Sequence, residues 1–151
     1  MKTKRITIPL RKIRIDQFGY HLLVKARIQK KNIWLVLDTG ASQTILDFNI
    51  ANVFSDEKPH HVKAAVSTGV GGETLKTHFL EVEEFAVGEA VWRNRIFILL
   101  ELHHINNSYH KIGKQNIQGI LGGDFLNRFK AIIDYKNKVM QLTLPASKKK
   151  L

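Results

Sequence analysis

Ile33-Trp34-Leu35-Val36-Leu37 is an apolar run without a charge, and it ends directly on Asp38-Thr39-Gly40. Such a run reads as a strand buried on both faces. A carboxylate delivered off the end of a buried strand is costly to desolvate unless the fold uses it. The residues Thr39-Gly40-Ala41-Ser42 that follow are small and turn-competent. Backbone N–H groups and a hydroxyl can crowd around the carboxylate, and Gly40 lets main chain approach where a side chain would not fit. Upstream, Phe18, Tyr20, Leu22, Val24, Ala26 and Ile28 alternate with Gly19, His21, Lys25, Arg27 and Gln29, with Leu23 the exception. That is the period of a half-buried strand. Lys30-Lys31-Asn32 reads as a polar turn. The acidic loop is therefore fed by the second arm of a hairpin.

The rest of the chain also reads mainly as strands. Ile6-Thr7-Ile8-Pro9-Leu10 alternates, and Pro9 confines it to a strand end or an edge. Residues 42–54 are mildly apolar and give way to the loop Ser55-Asp56-Glu57-Lys58-Pro59-His60-His61. Thr68-Gly69-Val70-Gly71-Gly72-Glu73 is the richest glycine cluster, a tip able to bend and lay backbone against a ligand. A plain glycine hairpin is the simpler reading, and neither a Lys-Ser pair nor a helical pattern follows that would suggest phosphate binding. Leu75–Val87 and Val91–Leu100 read as strands around Gly88-Glu89-Ala90, the second with Trp92, Ile96, Ile98 and Leu100 on one face.

Residues 101–118 are polar and carry His103, His104 and His110. They read as a long loop. With His60 and His61 they raise the question of a metal, but no carboxylate or cysteine is spaced with them, so neither a metal nor a cofactor is expected. Asp124–Phe129 can form a short helix capped by Asp124, with Phe125, Leu126 and Phe129 on one side. Ala131–Tyr135 and Val139–Leu144 close the chain as a hairpin around Lys136-Asn137-Lys138.

Leu35-Val36-Leu37-Asp38-Thr39-Gly40-Ala41-Ser42-Gln43-Thr44 resembles the active-site loop of aspartic proteases, in particular the single-domain, retropepsin-like group. Gly119-Ile120-Leu121-Gly122-Gly123-Asp124-Phe125-Leu126, about 80 residues further on, strengthens the resemblance. In that family an apolar-apolar-Gly segment lies under the catalytic loop and a short helix follows it. The likeness spans roughly residues 18–144. It implies an all-β fold: a closed barrel of about seven strands with one short C-terminal helix. It further implies that Asp38, Thr39 and Gly40 are the catalytic triplet. The glycine tip, about 30 residues after Asp38, would be the flap that closes over substrate, although it lacks an aromatic residue. Ala41, Gly69, Val70, Gly71 and Gly72 would then contact the substrate, an extended polypeptide paired in strand fashion.

Acid-type peptide hydrolysis uses two carboxylates that share a proton and hold one water. The chain has one Asp-Thr-Gly. A two-fold homodimer would supply the second carboxylate by symmetry, and the resemblance implies that arrangement, with Thr39 bridging the two loops and the terminal strands interleaving. Two-lobed relatives carry a hydroxyl residue where this chain has Ala41, so activity is expected from weak acid to near neutrality. Gly-Gly-Asp makes Asp124 a second candidate carboxylate, although a helix cap explains it more simply. The alternative function is a retropepsin-fold binding or dimerisation module with weak or no catalysis. The intact Asp38-Thr39-Gly40 argues against it.

The chain's 151 residues fit one domain, expected over residues 1–145, followed by a basic disordered tail at 146–151. Cysteine is absent, which excludes disulfides and thiolate metal ligands. The N-terminus lacks an apolar export region, and no apolar run is long enough for a membrane span. A cytoplasmic location is the expectation, and a longer precursor with an anchor or regulatory segment is compatible with it. The net charge of +11 collects at the termini rather than in a stripe with interleaved aromatics. A basic nucleic-acid-binding barrel is therefore a third, weaker reading. Polyanion binding is expected to be non-specific and salt-sensitive.

Overall fold

A computed structural model describes residues 3–50, 62–68 and 74–146, with the backbone alone for 62–68 and 74–76. The strands in chain order are β1 (Lys4–Arg14), β2 (Tyr20–Ile28), β3 (Lys31–Leu37), β4 (Ile45–Asp47), β5 (Val62–Thr68), β6 (Thr74–Val87) and β7 (Ala90–Leu100). Helix α1 (His103–Lys111) follows, then β8 (Gly119–Leu121), helix α2 (Gly123–Arg128), β9 (Ile132–Asp134) and β10 (Val139–Leu144). The sheet order is β5-β6-β7-β4-β8-β3-β2-β1-β10-β9, and an additional β6–β2 pairing joins its middle into a ring. The barrel is thus closed by six strands, β2, β3, β8, β4, β7 and β6, rather than about seven. Closure removes the exposed edges of those strands.

The β2–β3 hairpin forms as its alternation requires, one residue earlier than the polar turn suggests. Ile28 pairs with Lys31, so the two-residue turn is Gln29-Lys30, both with positive φ (46° and 72°). Two left-handed residues give the turn the twist that a tight hairpin needs. Leu22, Val24, Ala26 and Ile28 are buried in the barrel with Ile33 and Leu35 of β3. Leu23 breaks the alternation because both faces of β2 are covered there. It is buried in a second cluster outside the barrel, with Ile13, Leu102, Tyr109 and Ile117.

That second cluster exists because residues 101–118 do not form a long loop. They contain α1, nine residues long. Leu102, Ile105 and Tyr109, at i, i+3 and i+7, turn toward β2, β3 and β8. Asn106 secures the helix through two bonds to Ile117 backbone, 3.1 and 2.8 Å. Asparagine, serine and histidine are poor helix formers, so packing rather than propensity sustains α1.

In β7 the buried residues are Phe97 and Leu99, while Ile96 and Leu100 are 64% and 46% exposed. The expected face, Trp92-Ile96-Ile98-Leu100, is therefore wrong beyond Trp92. Asn94 has a φ of +52°, and Arg93 and Arg95 are paired with β6 while Asn94 is not. The alternation resets there, so Trp92 before it and Phe97 after it pack against one core.

Helix α2 stands where the sequence places it. Phe125 contacts Phe85, Trp92 and Phe129 at ring-centroid distances of 5.7, 5.7 and 4.6 Å. Burying one such ring contributes roughly 1.5–3 kcal/mol, which fixes α2 against the barrel. The cap differs from expectation. Gly122 is the N-cap residue, and Asp124 lies in the first turn. Pro9 sits where β1 changes partners: Lys4–Pro9 pair with β10, and Leu10–Arg14 with β2. There it interrupts neither ladder. The terminal strands β1 and β10 pair with each other within one chain, leaving β9 at a sheet edge.

Candidate active site

Asp38 stands at the start of the loop that joins β3 to β4, and β8 is inserted between those two strands. Leu35, Val36 and Leu37 pair in parallel with Gly119, Ile120 and Leu121, while Ile45 and Leu46 pair antiparallel with Ile120 and Gly119. The loop is tied down along its length. Asp38 N–H donates to Leu121 O at 3.1 Å, Gly123 N–H to Ala41 O at 2.7 Å, and Asp124 N–H to Ser42 O at 3.1 Å. The loop also closes on itself, with Ala41 N–H donating to Asp38 O at 3.3 Å. Gly40 N–H donates to Asp38 Oδ1 at 2.8 Å. The expected lie of Ile120-Leu121-Gly122 against the acidic loop is present bond by bond.

Thr44 is the buried anchor. Its hydroxyl donates to Asp124 Oδ1 at 2.7 Å and accepts from Gly122 N–H at 3.1 Å, while Thr44 N–H also donates to Asp124 Oδ1 at 2.8 Å. Phe125 N–H makes a further 2.8 Å bond to the same oxygen. Asp124 is thus occupied in joining α2 to the loop, which sets it apart from Asp38. Sequence reasoning missed Thr44. Its only signal was a hydroxyl residue a few positions past the Asp-Thr-Gly.

Glycine is required in β8 and at its end by space. A Cβ on Gly119 would lie 2.4 Å from Ile45 O, and one on Gly122 2.5 Å from Gln43 C and O. Real side chains do not come so close, so β3, β8 and β4 approach one another only because these positions are bare.

The Asp38 carboxylate itself is exposed, as are Thr39 and Gly40. It opens onto a groove of about 280 Å3 lined by Tyr20, His21, Leu22, Val36, Leu37, Ile105, Ile120 and Tyr135. The Lys12 ammonium lies 4.8 Å from the centre of the Tyr20 ring, and among the described residues that line the groove Asp38 is the one carboxylate. At its side His21 Nδ1 and Tyr109 Oη are 2.6 Å apart. Tyr109 is buried, and loss of solvation pushes its phenol up to about 12, so it stays protonated. Gly69, Val70, Gly71 and Gly72 lie outside the described residues, between the antiparallel arms β5 and β6 that pair as far as Thr68 and Thr74. Among the described residues no group of three or more His, Asp or Glu is placed to hold a metal. His103 and His104, both exposed on α1, have ring centroids 3.8 Å apart with the rings tilted by 42°. Among the described residues no helix is long and apolar enough to cross a membrane.

The sequence profile of the aspartyl protease family matches residues 24–125, more than half of the chain and both segments of the site. The chain belongs to the aspartyl protease family. Its fold is retropepsin-like: a crystal structure of a retropepsin-like aspartic protease from Rickettsia conorii superposes with a TM-score of 0.58 at 20% identity. The match covers 97% of this chain and 95% of that one. No curated protein sequence matches this one. Among its described residues this aspartyl protease chain presents one carboxylate at the groove, Asp38, open to solvent on a loop whose backbone is held by β8 and the start of α2.

Proposed function

We propose that the protein is an aspartic endopeptidase that works as a homodimer, each copy contributing Asp38 to one shared site. The observation that carries this reading is the exposed Asp38 carboxylate on a loop held by β8, with no second carboxylate among the described residues of its groove. A lone structural aspartate would not need a loop fixed at Leu121, Gly123 and Asp124. A two-fold axis over the loop would bring the second Asp38 to the first. Two carboxylates that close cannot both ionise easily, so the pair shares a proton and titrates as a unit. One carboxylate takes a proton from the attacking water, and the other hydrogen-bonds or protonates the carbonyl of the scissile peptide bond. The hydrated carbon then collapses, the C–N bond breaks, and the amine leaves with a proton.

Thr39 and Gly40 hold the pair in place. Gly40 does so through its N–H on Asp38 Oδ1, and Thr39 through bonds to the facing loop. The substrate is an extended polypeptide that lies across the loop, with Ala41 below it and Gly69, Val70, Gly71 and Gly72 folding over it from the β5–β6 arms. No cofactor takes part.

The test is cleavage of a diverse peptide mixture between about pH 4 and 7, with wild type, Asp38→Asn and Asp38→Ala compared at matched dimer content. Cleavage by wild type that drops by several orders of magnitude in both variants is the expected result. Cleavage that survives either substitution refutes the role of Asp38. Absence of cleavage at concentrations that populate the dimer refutes the enzyme reading.

A further inference from the structure

We propose that the groove between the first half of β7 and helix α2 is a binding site for a small polyphosphate, free or carried on a nucleotide, with Arg95 and Arg128 as its main partners. It shares no lining residue with the Asp38 groove and does not rest on the peptidase reading. The groove comes from topology. β4 pairs only with Ile98, Leu99 and Leu100 of β7. Among the described residues the 91–95 stretch therefore has β6 on one edge and no strand on the other. Helix α2 stands there instead, with the Phe125 ring 5.7 Å from Trp92. The space between them measures about 700 Å3, within the ~300–1,000 Å3 of small-molecule sites. Consecutive residues of a regular strand face opposite ways. Asn94, however, turns left-handed (φ +52°) and drops out of the pairing with β6. All of residues 91–95 border the groove. Irregularities of this kind re-aim side chains next to sites.

Charge selects the ligand. Arg93, Arg95 and Arg128 border the groove with one carboxylate, Asp124. Asp124 Oδ1 already accepts from Thr44 N–H, the Thr44 hydroxyl and Phe125 N–H, which offsets its charge. Arg93 is bound to Glu84 at 2.7 Å. Arg95 and Arg128 are exposed and pair with no acid among the described residues. Arg95 is also set in place. Its guanidinium lies 4.1 Å from the centre of the Trp92 ring, and that ring meets Phe97 and Phe125 edge-on. A planar cation held on a rigid ring loses little freedom on binding. One guanidinium fork satisfies one carboxylate. Two forks, with the exposed Asn94 and Asn127 amides beside them, call for an acceptor with more oxygens and more charge. Linked phosphates supply both.

The experiment titrates full-length protein with inorganic tripolyphosphate, a nucleoside triphosphate and citrate at physiological ionic strength, by calorimetry and by tryptophan emission. The chain has two tryptophans, so a Trp34→Phe background leaves Trp92, under Arg95, as the sole reporter. Arg95→Gln and Arg128→Gln are compared with Lys114→Gln, which removes the same charge from an exposed position outside the groove. Thermal melts accompany each variant. Tripolyphosphate and the nucleotide should bind once per chain with a Kd below about 1 mM and shift Trp92 emission. Each arginine variant should weaken binding about 10-fold or more, and Lys114→Gln less than about 2-fold. Arg95→Lys keeps the charge but loses the fork, and it should also weaken binding.

Tighter binding of the nucleotide than of tripolyphosphate supports the site with a nucleotide as its ligand, and equal affinity supports it with free polyphosphate. Equal losses from Lys114→Gln and Arg95→Gln overturn the site, because general attraction to a basic chain then explains the binding. Citrate binding as tightly as tripolyphosphate overturns it for the same reason. Neither heat nor an emission change at millimolar ligand overturns it outright. If the Trp34→Phe background does not fold, calorimetry on the chain with both tryptophans decides by the same comparisons.

Discussion

Replacing Gly122 by alanine should wreck the acidic loop, whereas the same change one residue later should be almost silent. Gly122 has φ −107° and ψ −175°, a conformation any residue adopts, so the effect is not one of backbone strain. It is one of space. The new methyl would lie 2.5 Å from the carbonyl carbon and oxygen of Gln43 and 2.9 Å from Ala41 O. These are backbone atoms on the far side of the loop and cannot rotate away. Forcing a methylene into packed surroundings costs about 1–3 kcal/mol. The loop must retreat, which opens the Gly122 N–H bond to Thr44 and the neighbouring Gly123 N–H bond to Ala41 O, at about 1 kcal/mol each. The sum is roughly 3–5 kcal/mol, or a fall in Tm of roughly 6–20 °C for a chain of this size. On Gly123 the added Cβ would meet nothing closer than 3.4 Å. A methyl at the start of α2 also favours the helix by up to about 1 kcal/mol. Urea unfolding followed by circular dichroism gives both values, and peptide cleavage reports the loop. A Gly122→Ala midpoint equal to wild type would refute the reasoning, as would equal damage from Gly123→Ala.

Other outcomes follow from the same structure. Thr44→Val keeps the shape but removes the hydroxyl between Asp124 and Gly122. It should cost about 1–3 kcal/mol, and an unchanged urea midpoint would show that the loop does not depend on this anchor. Tyr109→Phe should lose about 1 kcal/mol near neutrality through its bond to His21. It should also flatten the alkaline loss of stability. The Tyr109 phenol is raised from 10.0 to about 12 by burial, so the unfolded chain gives up its proton first. The stability this confers is complete below pH 10 and declines as pH rises toward 12, by about 2–3 kcal/mol in all. Identical alkaline slopes for wild type and Tyr109→Phe would exclude the phenol as their source.

The acidic loop was legible because its chemistry is local and its partner segment has a distinctive texture. Two glycines and two branched apolar residues in Gly119-Ile120-Leu121-Gly122 suffice to mark a strand that must come very close to something. The barrel strands were legible where alternation holds, as in β2. Reading failed where a single residue resets the alternation. Asparagine enters the left-handed region more readily than most residue types, but nothing in the sequence places that turn of the backbone at Asn94 in the middle of β7, and the reading of one continuous face from Trp92 to Leu100 missed it. Helix α1 was hidden differently. Its Leu102-Ile105-Tyr109 spacing was present, but Asn, Ser and His between them favour irregular backbone. What makes the segment helical is the outer surface of β2, β3 and β8, which the sequence does not display in one place. The Asp124 cap was a near miss: an acidic residue does sit in the first turn, but its carboxylate reaches sideways to Thr44 instead of back along the helix.

The insertion of β8 between β3 and β4 also sets a timetable. Leu35 and its partner Gly119 are about 80 positions apart, and contacts at such separation form late because a long loop must close first. While the chain is being made, Asp38 leaves the ribosome well before the strand that will hold it. A nascent chain that stops short of Gly119 contains the acid but lacks the means to aim it. Under the proposed reading, the growing polypeptide and its neighbours on the same messenger are spared a peptidase until β8 has been made, with no inhibitor required for that interval.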